Sequence, residues 1–349
     1  MQTTWLTVRL RRLPFSLYLD RRVPWVMLAM LLVTMGMMVL SIGTGEYPIA
    51  PIDVIRTILG MPTGNEDYQF VVNTLRVPRV LVAWFVGIAL GISGAIIQGL
   101  TRNPLASPEL TGVTAGASFA AVTILVLIPS IPITVLPFAA FGGGFGVAVL
   151  LYVLSFNKGD SPIRLILIGI GLTAILGAFT TFVTTFGEIN AVQRALVWLT
   201  GSVYGSGWDE VGTILPWIII FLPIALLNAR NLNILHLGED VARGLGSAVM
   251  QQRGILLLAA VALAASVVTV AGTIGFVGLI APHITRRLVG PAHEGVLPVS
   301  ALVGGMIVVG ADLIGRTIFA PIEVPAGIIT AIIGAPFFIY LLYHQRNRS

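Results

Sequence analysis

Residues 80–101 read VLVAWFVGIALGISGAIIQGLT and contain no Asp, Glu, Lys or Arg. About 20 mostly apolar residues in a helix are enough to cross the hydrocarbon core of a bilayer. The same charge-free character recurs at residues 165–187 and 324–345 and over the longer run from Leu110 to Asn157. This repetition predicts an all-α, polytopic membrane bundle.

The composition supports a membrane protein and excludes several other classes. Of the 349 residues, 56% are hydrophobic and only 10% are charged, whereas about a quarter of the residues in a soluble domain are charged. The net charge of +5 does not indicate nucleic-acid binding, because the basic residues fall in short loops without interleaved stacking aromatics. Cysteine is absent, which excludes disulfides and thiolate metal sites.

We predict one domain, residues 1–349, with ten spans and both termini in the cytoplasm. Cytoplasmic loops are enriched in Lys and Arg, and this topology leaves outside only Arg56, Arg76, Arg79, Arg194 and Arg316. The connecting segments include a cytoplasmic N-terminal segment (1–24), an extracytoplasmic loop (44–79) and a cytoplasmic loop (230–253). The predicted spans are 25–43, 80–101, 111–129, 134–155, 165–187, 211–229, 254–272, 275–289, 295–311 and 324–343.

Two long charge-free runs must be divided to reach ten spans. The run from Leu110 to Asn157 has a natural break at Pro129, Pro132 and Pro137. The run from Gly254 to Thr285 is long for one span and short for two. Two crossings retain the positive-inside asymmetry better than one, so we predict a tight reversal between Gly272 and Gly275.

Glycine is concentrated inside the predicted spans. Gly87, Gly91, Gly94 and Gly99 recur at near-helical spacing, and a second group lies at residues 142–146. Small residues let helix backbones approach closely in lipid. We therefore expect both groups to lie at helix contacts.

The residues that could support chemistry are few. Ser93 lies in a G-x-S-G pattern that resembles the serine of intramembrane proteases, but its nearest candidate base, His283, falls at another depth. Asp312 is the only acidic residue expected near a span interior, and an ion pair with Arg316 four residues later is its simplest explanation. No P-loop motif and no cluster with metal-ligand spacing is present. An intramembrane serine protease and an ion-coupled secondary transporter nevertheless stay as alternative classes.

The loop from Asn231 to Arg253 is unusually long for a connection between spans. Its glycines predict two short helices with a turn. The second would begin at Gly238, carry Glu239 and Asp240 in its first turn, and end at Gly244 or Gly246. A plain connector is the alternative interpretation.

Together these segments resemble the FecCD-type permease subunits of ATP-binding-cassette importers for iron–siderophore complexes, haem and cobalamin. The resemblance covers nearly the whole chain. The matching motifs are Leu75-Arg76-Val77-Pro78-Arg79, Asn103-Pro104-Leu105-Ala106, Gly238 to Gly246, Gly275-Phe276-Val277-Gly278-Leu279-Ile280-Ala281-Pro282-His283, Ala311-Asp312 through Arg316, Val324-Pro325-Ala326-Gly327 and Gly334-Ala335-Pro336-Phe337.

The resemblance implies a cobalamin-permease-like bundle that pairs with a second permease around a central path. It also implies two functional surfaces. The coupling loop, which rests on the ATPase subunit, would comprise Gly238, Glu239, Ala242, Gly244, Leu245 and Gly246. The residues that dock the substrate-binding protein would be Arg76, Arg79 and Arg316. The alternative for these arginines is a role as interfacial anchors.

The fifth and tenth spans line the path in such permeases. Thr180 and Thr184 share one face of the fifth span here, and their hydroxyls would suit a bulky neutral path. Equally, threonine hydroxyls can bond to their own helix backbone.

The implied protein is thus a non-enzymatic transport subunit of a bacterial inner membrane, importing a ferric siderophore, or alternatively haem or cobalamin. Its expected partners are membrane lipid, an identical or homologous second permease, two ATPase subunits, and a periplasmic or lipid-anchored substrate-binding protein. The chain itself is expected to bind no cofactor, since ATP and magnesium would belong to the ATPase subunits.

Overall fold

The ten segments predicted to span the membrane each coincide with a helix. The computed structural model describes residues 5–9, 16–128, 130–156 and 162–346. In chain order its helices are α1 (Arg22–Gly43), α2 (Pro51–Ile58), α3 (Asp67–Gln69), α4 (Val77–Thr101), α5 (Val113–Leu127), α6 (Leu136–Phe156), α7 (Pro162–Phe186), α8 (Ile189–Leu199), α9 (Trp208–Leu227), α10 (Ala229–His236), α11 (Glu239–Gly244), α12 (Val249–Ala271), α13 (Val277–Val289), α14 (His293–Thr317) and α15 (Ala326–Arg346). The spans are α1, α4 to α7, α9 and α12 to α15.

Within the described ranges, eight helices are long and apolar enough to cross a membrane, judged by length and composition. The two shorter spans are α5 and α13. Helix α13 has 13 residues and is about 20 Å long. It follows α12 through a reversal in which Gly272 and Phe276 both have positive φ values, 65° and 67°. The predicted division of the run from Gly254 to Thr285 into two helices is therefore confirmed.

The break predicted inside the other long run lies where expected. Helix α5 ends at Leu127, and α6 begins at Leu136 after a 3-10 turn, Ile133–Val135. Pro129 lies outside the described residues. Proline in this connection suits a helix end, because it removes a backbone donor and restricts the residue before it.

Two segments outside the spans contain structure that the sequence analysis did not predict. The N-terminal segment includes an antiparallel hairpin, β1 (Trp5–Arg9) and β2 (Ser16–Asp20), in which Trp5 pairs with Asp20. The loop at 44–79 contains α2, α3 and a π-helical segment, Phe70–Arg76, that runs directly into α4. The apolar spans dominated the sequence signal, so these short elements were not recognised.

Helix α4 lies at the centre of the bundle. In its apolar window 83% of residues are buried, compared with 6% for α7, whose surface is left to lipid or to another chain. A side chain at Gly87, Gly91 or Gly94 would collide with the backbone of Gly304, Ser300 or Gly278, respectively. The expected close packing of the first glycine group is thus confirmed, with α14 and α13 as the partners.

The second glycine group is only partly at a contact. Gly143 lies against the backbone of Gly116 in α5, whereas the open space beside Gly142 and Gly146 would accept a side chain. Small size is therefore required at one face of α6 and not at the other. The expectation for this group is wrong at Gly142 and Gly146.

The antiparallel pair α4 and α14 connects the two ends of the bundle. Arg79 meets Asp312 at one end, and Gly99 lies beside His293 at the other. The second end also carries α11, because Gly238 lies beside Arg102, just after α4. We refer to these as the Arg79 end and the Glu239 end.

Candidate functional site

The segment after α9 has the local structure that its glycines predicted. Helix α11 begins at Glu239 and ends at Gly244, with Gly238 before it at φ 115° and Gly246 after it at φ 78°. Both glycines thus hold backbone conformations that a residue with a Cβ adopts rarely. Ser247 then closes the turn by donating its backbone N–H to the carbonyl of Ala242 at 3.0 Å.

Glu239 fastens α11 to the bundle. Its carboxylate accepts a 2.7 Å hydrogen bond from Arg253 of α12, and Arg243 lies 3.6 Å away on the next turn. Ala242 is fully buried on the same side, whereas Val241 and Leu245 are 50% and 63% exposed. The segment therefore has a fixed inner face and an apolar outer face, as a surface that receives another protein would.

Helix α10 is tied to both helices of the central pair. The Asn233 side-chain oxygen accepts the backbone N–H of His293 at 2.9 Å, and its amide donates to Glu294 at 2.6 Å. The His236 ring lies 3.3 Å from the carbonyl of Gly99 at the end of α4. A displacement of α10 would consequently be felt by α4 and α14 together.

At the Arg79 end, one guanidinium is divided between two carboxylates. Arg79 donates to Asp312 of α14 at 2.8 Å and to Glu323, which precedes α15, also at 2.8 Å. Asp312 is only 4% exposed, and the Arg79 side chain 13%. The guanidinium also lies over the ring of Tyr204, 5.5 Å from its centre.

The other two predicted docking arginines are bonded mainly to backbone. Arg316 donates to the hydroxyl and carbonyl of Ser41 and to the carbonyl of Thr44, and so joins α14 to the end of α1. Arg76 donates to the carbonyls of Ile42 and Tyr47. The structure brings the trio together at one end, but Arg316 is buried and Arg79 is largely covered.

The predicted ion pair between Asp312 and Arg316 is present at 3.9 Å, but Arg79 makes the shorter contact with Asp312, at 2.8 Å. Asp312 is also not the only acidic side chain inside the bundle. Glu109 follows Pro108, which packs on Gly278 at the depth of Gly94, and the Glu109 Oε1 atom is buried without a hydrogen-bond partner in the described structure.

Glu109 was missed because it belongs to a polar-looking connection after α4. That connection turns back into the bundle as a 3-10 turn, Pro108–Thr111, and brings the carboxylate beside Gly275 in the reversal between α12 and α13. The sequence signal for this inward turn was the pair Pro108-Glu109, which comes shortly before Gly112. No local sequence feature indicated how deep Glu109 lies in the bundle.

A cavity of about 1230 Å³ opens at the Arg79 end. Its polar lining includes Arg79, Glu323 and Tyr204 on one part and Gln193 and Arg194 of α8 on another. Helix α8 is capped by Glu188, and hydrogen bonds from the backbone amides of Asn190 and Ala191 lower the pKa of that carboxyl. A cavity of this size holds ligands larger than a simple ion.

The threonines of α7 do not converge on a site within the single chain. Thr180 and Thr184 donate to the carbonyls of Leu176 and Thr180, so their hydroxyls are bonded to their own helix. Ser93 is fully buried and donates to the carbonyl of Ala260 in α12 at 2.7 Å. Its hydroxyl thus serves helix packing in this structure.

A multi-pass helical bundle with a braced helical loop at one end and a charged cavity at the other has the architecture of a membrane permease. The chain belongs to the FecCD transport family, whose model matches residues 30–344. It is therefore a permease of the ATP-binding-cassette transporter type, and the predicted resemblance is confirmed.

Several relatives match almost from end to end. The chain is 45% identical to the siderophore transport system permease YfhA of Bacillus subtilis, over 96% of this chain and 99% of the relative. It is 42% identical to the ferric dicitrate transport permease FecD of Escherichia coli, over 89% and 96%. A solved inward-facing metal-chelate type ABC transporter is similar with a TM-score of 0.83 and 31% identity, covering 92% of this chain and 99% of that one.

Proposed function

We propose that this chain is a permease subunit of an ATP-driven importer that carries a ferric siderophore into the bacterial cytoplasm. The observation that carries the proposal is the full-length match to permeases named for siderophores and ferric citrate. ATP would be hydrolysed on two separate ATPase subunits. A second permease, identical or homologous, would complete the membrane part.

In this proposal the Glu239 end faces the cytoplasm, with both termini, and the Arg79 end faces outward in the inner membrane. The distribution of basic residues supports this orientation, because 15 of the 20 fall on the predicted cytoplasmic side. The substrate-binding protein, periplasmic or lipid-anchored, would approach the cavity. The ATPase subunits would approach α11.

The segment from Gly238 to Gly246 is the proposed coupling loop. Its inner face is fixed through Glu239 and Ala242, while Leu245 projects outward. A rigid short helix of this kind transmits a push from the ATPase to α10 and α12 without bending. Gly244 and Gly246 would keep its end compact.

Arg76 and Arg79 are the proposed docking residues for acidic side chains of the binding protein. Complementary charge of this kind mainly sets association rate and register. Arg316 would support docking indirectly. Its hydrogen bonds hold α14 against the end of α1, beneath the other two arginines.

The exposed face of α7, with Thr180 and Thr184, and helix α15 are proposed to line the path between the two permeases. The low burial of α7 in the single chain supports this, because a path at an interface is completed only by the second subunit. Hydroxyls already bonded to their own helix leave a weakly polar wall. Such a wall lets a bulky chelate pass without being held.

Uptake by the complex reconstituted in proteoliposomes tests the function. ATP-dependent uptake of ferric citrate or a ferric hydroxamate is expected. Loss of that uptake on replacement of Glu239 or Gly244, with normal membrane insertion, supports the coupling role.

Cobalamin and haem belong in the same panel of substrates, since a cobalamin import permease of Halobacterium salinarum is 41% identical over 81% of this chain. Uptake that ignores ATP and follows an ion gradient would replace the proposal with a secondary transporter. Proteolysis lost in Ser93→Ala would replace it with a protease.

A further inference from the structure

The two carboxylates that share Arg79 differ in how accessible they are. Asp312 is 4% exposed and belongs to α14, whereas Glu323 is 33% exposed and stands in the segment that joins α14 to α15. Both lie 2.8 Å from the same guanidinium nitrogen, Nη2. Asp312 is therefore a permanent partner of Arg79, and Glu323 is the partner that another carboxylate could replace.

Glu323 connects Arg79 to a part of the cavity wall. Pro321, Val324 and Pro325, its neighbours in the chain, line the cavity together with Arg79. The ion pair thus joins this segment to α4, while the backbone N–H of Val324 donates to the carbonyl of Gly315 at 2.9 Å and holds the end of the segment to α14. Because Glu323 is 33% exposed, another carboxylate can reach its position from solvent, and the contact is weak enough to exchange.

The charge balance of the cluster points to an acidic partner. Within the part of the chain that the structure describes, two carboxylates, those of Asp312 and Glu323, pair with the cluster of Arg76, Arg79 and Arg316. Arg76 donates its hydrogen bonds to backbone carbonyls. The cluster therefore carries one uncompensated positive charge. One further carboxylate brought by another protein would complete it.

We infer that Glu323 occupies the position at Arg79 that an acidic side chain of the docked substrate-binding protein takes, and that its release detaches the segment from Ile318 to Glu323 from α4. The inference rests on the proposed docking function. Exchanging one carboxylate for another at the same guanidinium changes the free energy little, so a small preference for the docked state is enough to shift the segment. Docking and opening of the cavity are thereby linked.

The absence of cysteine allows a direct test in the intact permease–ATPase complex. Ala271 lines the cavity and is 3% exposed, so Ala271→Cys reports opening through its reaction with a membrane-impermeant maleimide. Glu323→Gln is expected to raise the labelling rate about three- to five-fold, as loss of a partly exposed ion pair predicts. Asp53→Asn, which breaks the exposed pair with Arg56 on α2, is the matched control and should leave the rate unchanged.

The second measurement is the affinity for the substrate-binding protein that supports uptake by the reconstituted complex. Glu323→Gln removes a competitor and should tighten docking about three- to five-fold, with no change for Asp53→Asn. Glu323→Asp should give intermediate values in both assays, which separates exchange from simple misfolding. Unchanged labelling, or weaker docking, in Glu323→Gln overturns the inference. If the wild-type complex neither docks a binding protein nor imports a chelate, the proposed function is overturned and not the inference about Glu323. The labelling rate still shows whether Glu323 holds the cavity wall in that case.

Discussion

Replacing Glu239 by Gln should weaken the attachment of α11 to the bundle. The substitution keeps the shape of the side chain and removes its charge, so the 2.7 Å contact with Arg253 loses its ionic component. Arg253 is 5% exposed, and the glutamine no longer supplies the negative charge that Glu239 places against it. Asp240, the next residue, is exposed and provides the matched control as Asp240→Asn.

The burial of the pair determines the size of the effect. Exposed ion pairs contribute about 0.2–1 kcal/mol, and removing one partner of a fully buried pair costs about 3–5 kcal/mol. With Glu239 at 17% and Arg253 at 5% exposure, the pair lies between these limits, and we expect about 2 kcal/mol. The equilibrium between attached and detached α11 would then shift about 30-fold.

Hydrogen exchange of the amides from Ala242 to Ser247 measures that equilibrium without any knowledge of the substrate. Exchange should be about 30-fold faster in Glu239→Gln and unchanged in Asp240→Asn, while other helices keep their protection. ATP-driven uptake should fall in the first variant only. Equal exchange in the two variants would refute the idea that Glu239 fastens this helix.

Three further outcomes are expected. Gly91→Ala should lower the free energy of unfolding in detergent by about 1–3 kcal/mol, because the added methyl group meets the backbone of α14. Gly142→Ala is the control, because its methyl group would face open space, and it should be neutral or stabilising. Asp312→Asn should cost about 2 kcal/mol in the same assay, since Asp312 and Arg79 are about as buried as Glu239 and Arg253, and a cost below about 0.5 kcal/mol would contradict that assignment. Thr184→Val should change stability by less than about 1 kcal/mol, because the lost bond is to its own helix, and a large fall in uptake despite that would support a path-lining position.

The spans and their reversals could be predicted because each depends on local sequence. Runs without charged residues indicated the helices. The excess of basic residues on one side of the membrane indicated two helices in the run from Gly254 to Thr285, and the structure has two there. The turn at Gly238 was equally local, since a glycine before two acidic residues favours a helix start. In each case the decisive residues lie within about one helix length of one another.

The depth of a residue in the bundle was not predictable in the same way. Glu109 lies in a connection whose polarity indicated the membrane surface, yet the chain turns inward there and packs Pro108 on Gly278. That position depends on the small size of residues in α4 and α13, more than 150 residues away in the case of α13. A hydropathy reading of the connection alone could not reveal it.

The arginines at the Arg79 end illustrate how residues can be grouped correctly while their role stays undecided. Counting charges placed Arg76, Arg79 and Arg316 outside, against the general trend, but a count of charges along the chain does not say which of them are neutralised. The structure shows that Arg79 already has two carboxylates, one from α14 and one from the segment before α15. In the proposed docking, an acidic side chain of the binding protein would meet an occupied guanidinium and would have to displace Glu323 to reach it. The proposed role of Arg79 would then depend on the difference between two carboxylate contacts, and not on its positive charge alone.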